Sequence, residues 1–283
     1  MNKSKNRPLY WIQAFLDANL LFKNGETHRS EKKVVQRLTN DLEAHLLEWQ
    51  PRLNTYFYKR RSHILSAIDF AQKITRITLG LLISHALSIP LRRALKCLDR
   101  RQNIWFIYFH PSRQAAMDAA LKYLYQGNTP PDQNDPHYFS HLLVQSLIVM
   151  GYDPLVASIC ASICEADSTD FASDSYRYCP TSFVSRICKQ AVLIDGNNFD
   201  AGDVCFTSLV PAADQPENNR YTQNSSASSL AYGVGAHVCV GKSLSLTILG
   251  MAQQIFEQHF SDGFAHRSVI ASDGAFLSFE ITS

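Results

Sequence analysis

One segment of the chain concentrates residues able to do chemistry: Tyr232-Gly-Val-Gly-Ala-His-Val-Cys-Val-Gly241, followed at Lys242 by a run that reads as a helix over 242–260. Cys239 stands just before that helix. There the helix dipole and its unpaired backbone N–H groups lower a thiol's pKa and hold it as thiolate, a nucleophile and a soft metal ligand. Gly233 and Gly235 permit tight turns that aim backbone amides at the sulfur, and Gly241 permits a close approach at the start of the helix. Two phosphate-binding patterns fit less well. A Gly-x-Gly-x-x-Gly fingerprint needs glycine where Val238 stands, and it lacks a βαβ context. The stretch 236–243 ends in Gly-Lys-Ser like a P-loop, but Ala236 replaces its first glycine and valines fill the phosphate nest. The plainest alternative is a buried free thiol in a glycine-rich turn.

The elements that position this loop divide the chain in two. Residues 31–48 carry Val34, Val35, Leu38, Leu42, Leu46 and Leu47 at helical spacing, and the pattern predicts a helix that stops before Pro51. One or two core helices follow over 64–88, a short one over 92–97, and an amphipathic one over 112–125 with Ser112 as N-cap and Gly127 beyond its end. Residues 127–136 form a polar, proline-rich loop, after which 138–165 is the most apolar long helix, interrupted at Gly151 and Pro154. Beyond Phe183 the texture changes. Strands are predicted over 183–194 and 204–210, with turns at 195–197 and 201–203, and a hairpin over 268–282 turning at Asp273-Gly274.

Composition narrows the function classes. With 283 residues, 46% hydrophobic and 18% charged, the chain has ample material for a core. Lys and Arg number 27 against 25 Asp and Glu, so no charge excess points to nucleic acid or an anionic membrane as partner. The seven cysteines (97, 160, 164, 179, 188, 205, 239) show no Cys-x-x-Cys pair, which argues against a disulfide framework or structural zinc and fits a reducing cytoplasm. Residues 1–22 lack the features of a signal peptide. The apolar stretch 77–90 falls short of the ~18 uninterrupted residues of a membrane span, and is expected to be a buried helix.

The pattern aromatic-Gly-x-Gly-x-His-x-Cys-x-Gly resembles the heme-binding cysteine loop of the cytochrome P450 family. The resemblance implies a mainly α fold with small β-sheets, compact and shortened, and heme b with Cys239 as the axial thiolate that favours O–O cleavage. It also implies that His237 meets a heme propionate and that Tyr232, where the family usually has phenylalanine, packs beside the sulfur. Upstream, Asp174-Ser-Tyr-Arg177 is similar to the family's Glu-x-x-Arg ion pair, and Arg186, nine residues later, takes the place of a propionate-binding arginine. His28 and Lys32 resemble the propionate ligands at the start of the family's helix C, lysine supplying a point charge rather than a fork. Residues 147–156, Leu-Ile-Val-Met-Gly-Tyr-Asp-Pro-Leu-Val, resemble the central helix over the distal heme face. Gly151 and Asp153 match. Pro154 replaces the threonine that, with the acid, helps deliver protons to dioxygen, and it is expected to open the helix locally.

The resemblance covers residues 1–283 as a single heme domain, with a helical part (1–178) and a β-containing part carrying the cysteine loop (179–283). The chain is shorter than a usual member: little precedes the helix-C-like segment, a loop at 127–136 replaces helical material, and Asp174 follows Pro154 by only twenty residues. The front and roof of the substrate pocket are therefore expected to be reduced, leaving it open or completed by another chain. The implied activity is P450-type monooxygenation of a small organic, biosynthetic substrate. Its electrons would come from a ferredoxin- or flavodoxin-type donor. Lys242, Arg92, Arg93, Arg100 and Arg101 offer charges for docking such a donor, although each also reads as an ordinary solvated residue. Pro154 favours a second reading, peroxide-driven or non-dioxygen heme-thiolate chemistry of the isomerase or dehydratase type. Truncation favours a third, a degenerate member that binds heme or a partner without catalysis.

Overall fold

Val35, Thr39, Leu42, Leu46, Leu53 and Phe57 recur at helical spacing and are all buried along one face of α2 (Gly25–Arg60). This helix begins earlier than its apolar pattern indicates and runs straight through Pro51. Pro51 is exposed, so the carbonyl it leaves without a partner faces water. An interior proline costs ~3 kcal/mol, while burying a Leu or Phe side chain contributes ~1.5–3 kcal/mol, so Leu53 and Phe57 beyond the proline outweigh it. The structure is a computed structural model that describes residues 10–20, 23–101, 111–126, 130–164, 170–172, 183–194, 196–208, 232–233, 235–264, 267–272 and 277–282.

The predicted core segment over 64–88 is one helix, α3 (Ala67–Ala86), buried on most sides. Its start follows a local logic: Ser66 Oγ accepts the Asp69 backbone N–H at 3.2 Å, and the Asp69 carboxylate accepts that of Leu65 at 3.3 Å. The short α4 (Leu91–Leu98) lies so close to α3 that a Cβ at Gly80 would stand 2.5 Å from Leu95 Cδ2. Next, α5 (Pro111–Leu124) opens on proline at its first position, which places Ser112 inside the helix instead of at its cap. The Asp118 carboxylate on α5 accepts the backbone N–H groups of Trp11 and Ile12 at 2.8 and 3.1 Å. This docks α1 (Tyr10–Ala18) on α5.

Tyr138–Cys164 is a single run of 27 residues in three parts: α6 (Tyr138–Ser146), a π-helical stretch (Leu147–Gly151) and α7 (Tyr152–Cys164). It is long and apolar enough to cross a membrane, yet 72% of its apolar window is buried inside the protein, as for a core helix. The π stretch is the local opening expected of Pro154. Proline has no N–H for the Met150 carbonyl, and the helix widens in the turn just before it.

Three two-stranded antiparallel sheets follow. The predicted strand 183–194 is two strands, β1 (Phe183–Ile187) and β2 (Val192–Ile194), because Cys188 turns back to exchange backbone hydrogen bonds with Gly202 and Asp203. β2 pairs with β3 (Asn197–Phe199), and β1 with β4 (Val204–Ser208). The predicted C-terminal hairpin is β5 (Arg267–Ser272) and β6 (Leu277–Thr282); its turn residues Asp273 and Gly274 lie outside the described residues. Between these sheets, α8 (Lys242–His259) packs against α2. Thr247 donates to Glu43 at 2.5 Å, and Gln50 pairs with Gln254. Phe70 of α3, fully buried, stands among the rings of Phe57, Phe256, Phe260 and Phe264 and joins α2, α3 and α8 in one core.

His141 of α6 is half-buried against Tyr125, the ring centroids 4.7 Å apart, and among the described residues its Nδ1 has no partner. Burial lowers its pKa, His137 adds to the effect and Asp135 opposes it. The native state therefore holds fewer protons at this residue than the unfolded chain once pH falls below about 6.5, so stability declines with acidification there. In urea titrations between about pH 7.5 and 5.5, His141→Gln is expected to lose less stability than the parent protein. An identical pH dependence in both would show that His141 does not contribute.

Candidate functional site

The cysteine loop takes its shape from two glycines. Gly233 and Gly235 adopt φ of +73° and +70°, in the left-handed region that other residues avoid, and a Cβ on Gly233 would press to 3.5 Å from the His237 carbonyl. The turn is closed by Cys239 N–H donating to the Tyr232 carbonyl at 2.7 Å and Val238 N–H to Gly235 at 3.2 Å. Gly241 caps α8, and a Cβ there would stand 3.9 Å from Cys239 Sγ, so glycine keeps space beside the sulfur. Cys239 is exposed. Protein crowding its far side still raises its thiol pKa, first through desolvation. The Gly241 backbone N–H, Lys32 and Lys242 pull in the opposite direction. These opposing groups favour the thiolate, the form in which a sulfur binds metal.

The start of α2 lies against this loop and brings together residues some 200 positions apart. Lys32 Nζ donates to the carbonyls of Ala236 at 2.6 Å and Val238 at 2.7 Å. It thus fastens the loop from below as well as bringing a positive charge to the sulfur. The rings of His28 and His237 meet at a tilt of 31° with centroids 4.3 Å apart, and His237 Nε2 lies 3.3 Å from Asn24 Oδ1. His28 is buried, and burial, then Lys32, lowers its pKa against the pull of Glu31. A salt bridge from Lys23 to Glu31 at 2.5 Å holds this end of the helix. The Lys242 ammonium stands 5.8 Å over the Tyr232 ring. Asn24 was not legible as a site residue, because only the fold places it beside His237.

Arg186 lies on β1 opposite Cys205 of β4, and Asp174 and Arg177 fall outside the described residues. On the central helix, Gly151 ends the π stretch and Pro154 follows in the first turn of α7. Asp153 between them is held by Arg101 at 2.6 Å, and the Arg101 guanidinium stacks 3.3 Å over the Tyr152 ring. Arg101 therefore belongs to an internal ion pair and not to a docking surface, a correction to its expected role. Arg92 and Arg93 sit on α4, and Lys242 opens α8.

Among the described residues no group of three or more His, Cys, Asp or Glu side chains could hold a bare metal ion. A single accessible thiol at a helix start fits a metal that arrives with its other donors in place. Lys32, His28 and His237 beside it fit acidic substituents on such a group. In this donor chemistry the loop suits heme.

No protein-family model matches the chain, and no curated protein matches it. Solved structures do. P450BioI, in complex with an acyl carrier protein ligated to hexadec-9Z-enoic acid, superposes with a TM-score of 0.71 at 16% identity, covering 99% of this chain and 85% of that one. OxyC, a cytochrome P450 implicated in oxidative C–C coupling during vancomycin biosynthesis, gives 0.65 at 17% identity, covering 95% and 80%. The cytochrome P450 CYP109B1 from Bacillus subtilis gives 0.64 at 15% identity, covering 93% and 85%. Identities this low speak to fold alone, and over nearly its whole length the fold of this chain is that of the cytochromes P450.

Proposed function

We propose that the chain is a heme-thiolate oxidoreductase in which Cys239 is the axial ligand of heme b and a small organic molecule is the substrate. The observation that carries this is the convergence of an exposed cysteine at the start of α8 with His28 and Lys32 of α2. Heme bound through a thiolate supplies the oxidising chemistry, O–O bond cleavage above all. The protein's own residues do the rest. The Gly241 N–H, Lys32 and Lys242 oppose the desolvation that raises the Cys239 pKa, and so favour the thiolate. His28, His237 and Lys32 would hold the propionates, and the same resemblance assigns Arg186 to them and an ion pair to Asp174 and Arg177. The reading treats residues 1–283 as one domain working in the cytoplasm, supported by six free thiols among the described residues. Its electron donor is of the ferredoxin or flavodoxin type. The test is the absorption spectrum of the purified protein, ferric and then ferrous with carbon monoxide. A thiolate ligand gives a red-shifted Soret band, and a colourless protein that refuses added heme overturns the reading.

A second reading, peroxide-driven or non-dioxygen chemistry, is favoured by the distal segment. Pro154 carries no hydroxyl, and Asp153, the neighbouring acid, is already engaged by Arg101. Proton delivery to bound dioxygen is then poor, whereas peroxide arrives with its oxygen and protons. With a surrogate ferredoxin system, most reductant is expected to be consumed without product, while peroxide gives turnover or bleaches the heme. Pro154→Thr should improve the ratio of product to reductant. Tight coupling in the parent protein, with no response to peroxide, returns the reading to ordinary monooxygenation.

A further inference from the structure

Away from the cysteine loop, α4 and α5 enclose an open cleft of about 540 Å³ lined by Arg93, Ala119, Lys122, Tyr123 and Gln126. Its charge is one-sided. Among the described residues no carboxylate pairs with Arg92, Arg93 or Lys96 on α4, or with Lys122 on α5. The two acids nearest in sequence are committed elsewhere. Asp99 receives both Nε and Nη2 of Arg76, at 2.6 and 2.8 Å, and Asp118 Oδ1 accepts the backbone N–H groups of Trp11 and Ile12. Arg100 adds a further cation, its guanidinium 4.8 Å over the Tyr123 ring that forms one wall.

Arg93 shows what the cleft would recognise. With the Gln126 amide turned so that its oxygen faces Arg93, that oxygen accepts from both terminal nitrogens of Arg93, Nη1 at 3.0 Å. This is the fork that a guanidinium offers to a carboxylate or phosphate, here resting on a neutral amide. Gln126 itself has φ of +59°, the left-handed turn that ends α5 and sets its side chain beside Arg93.

We propose that the α4–α5 cleft binds the phosphate group of a phosphorylated small molecule. Arg93 exchanges the Gln126 carbonyl for phosphate oxygens, Lys122 supplies a second positive charge from α5, and the Gln126 amide and Tyr123 hydroxyl donate at the rim. No bond is made or broken; this is a recognition site. It stands independently of the heme reading, because none of its residues belongs to the cysteine loop or to the elements that support it.

Inorganic pyrophosphate is the probe, titrated calorimetrically into the full chain at about 0.15 M salt, where scattered surface charges are largely screened. Saturable binding at one site is expected, weakened ~10-fold or more in Arg93→Gln and in Lys122→Ala. Lys59→Ala, at the exposed end of α2, should leave it unchanged. Thermal unfolding of each variant establishes that it is folded. Absence of saturable binding at millimolar pyrophosphate, binding that survives both cleft substitutions, or an equal loss in Lys59→Ala overturns the proposal.

Discussion

Cys239→Ala is expected to abolish the red-shifted Soret band of the ferrous carbon monoxide adduct and to leave the protein with little or no bound heme. No other described thiol can stand in. Cys97 is fully buried on α4, its Sγ 3.5 Å from the Ala120 carbonyl, and burial pushes its pKa up to about 12, so it is not a thiolate at neutral pH. Cys160 and Cys164 lie on α7, and Cys188, just beyond β1, has its sulfur 3.6 Å from that of Cys205 on β4. His237, next but one to the cysteine, could offer a ring nitrogen in the variant. Any heme that stays would then show the unshifted spectrum of a nitrogen ligand. A red-shifted band that persists in Cys239→Ala would place the ligand elsewhere and remove the basis of the functional reading.

The second large effect is on stability. Phe70→Ala should lower the free energy of unfolding by ~3–5 kcal/mol, a large part of the ~5–15 kcal/mol that an ordinary domain possesses. Phe70 is fully buried, and the rings of Phe57, Phe256, Phe260 and Phe264 lie between 5.1 and 6.2 Å from it. The four remaining aromatic side chains cannot collapse into the vacated space without leaving their own contacts, so most of the cavity persists. The damage reaches the site, because the helices meeting at this ring are those that carry Lys32 and Cys239. Heme retention should therefore fall along with the urea midpoint. Phe70→Leu, which keeps most of the volume, should cost much less. A midpoint in Phe70→Ala within error of the parent value would contradict this account of the core.

What the sequence disclosed about the site came from short-range order. The glycines at 233, 235 and 241 and the cysteine between them obey local rules of backbone conformation, and both glycines expected to turn the chain have positive φ. The likeness of residues 28–32 to a known segment located a second part of the site, although it could not show that Lys32 spends its hydrogen bonds on two loop carbonyls. Long-range partners were illegible. Nothing near Arg101 in the sequence points to Asp153, 52 positions away, and its charge invited a surface role. Pro51 was misread for a related reason. A proline stops a helix only when the residues beyond it have little to gain from continuing, and the gain of burying Leu53 and Phe57 depends on α3 and α8 being there. The strand 183–194 was overextended because its β-branched pattern continues across Cys188, where hydrogen bonds to the 202–203 turn divert the backbone.

The ammonium of Lys32 has one more consequence. Its two bonds to Ala236 and Val238 tie the loop to α2 through protein groups alone, and the Thr247–Glu43 bond repeats the connection one helical segment further on. On the proposed heme reading, the receptor for the prosthetic group would be assembled before that group arrives. Heme capture then resembles docking onto a rigid seat, with little chain entropy left to lose, in contrast to metal sites whose binding energy must also fold the protein. The apoprotein should keep its α2–α8 pairing and take up heme in a single concentration-dependent phase.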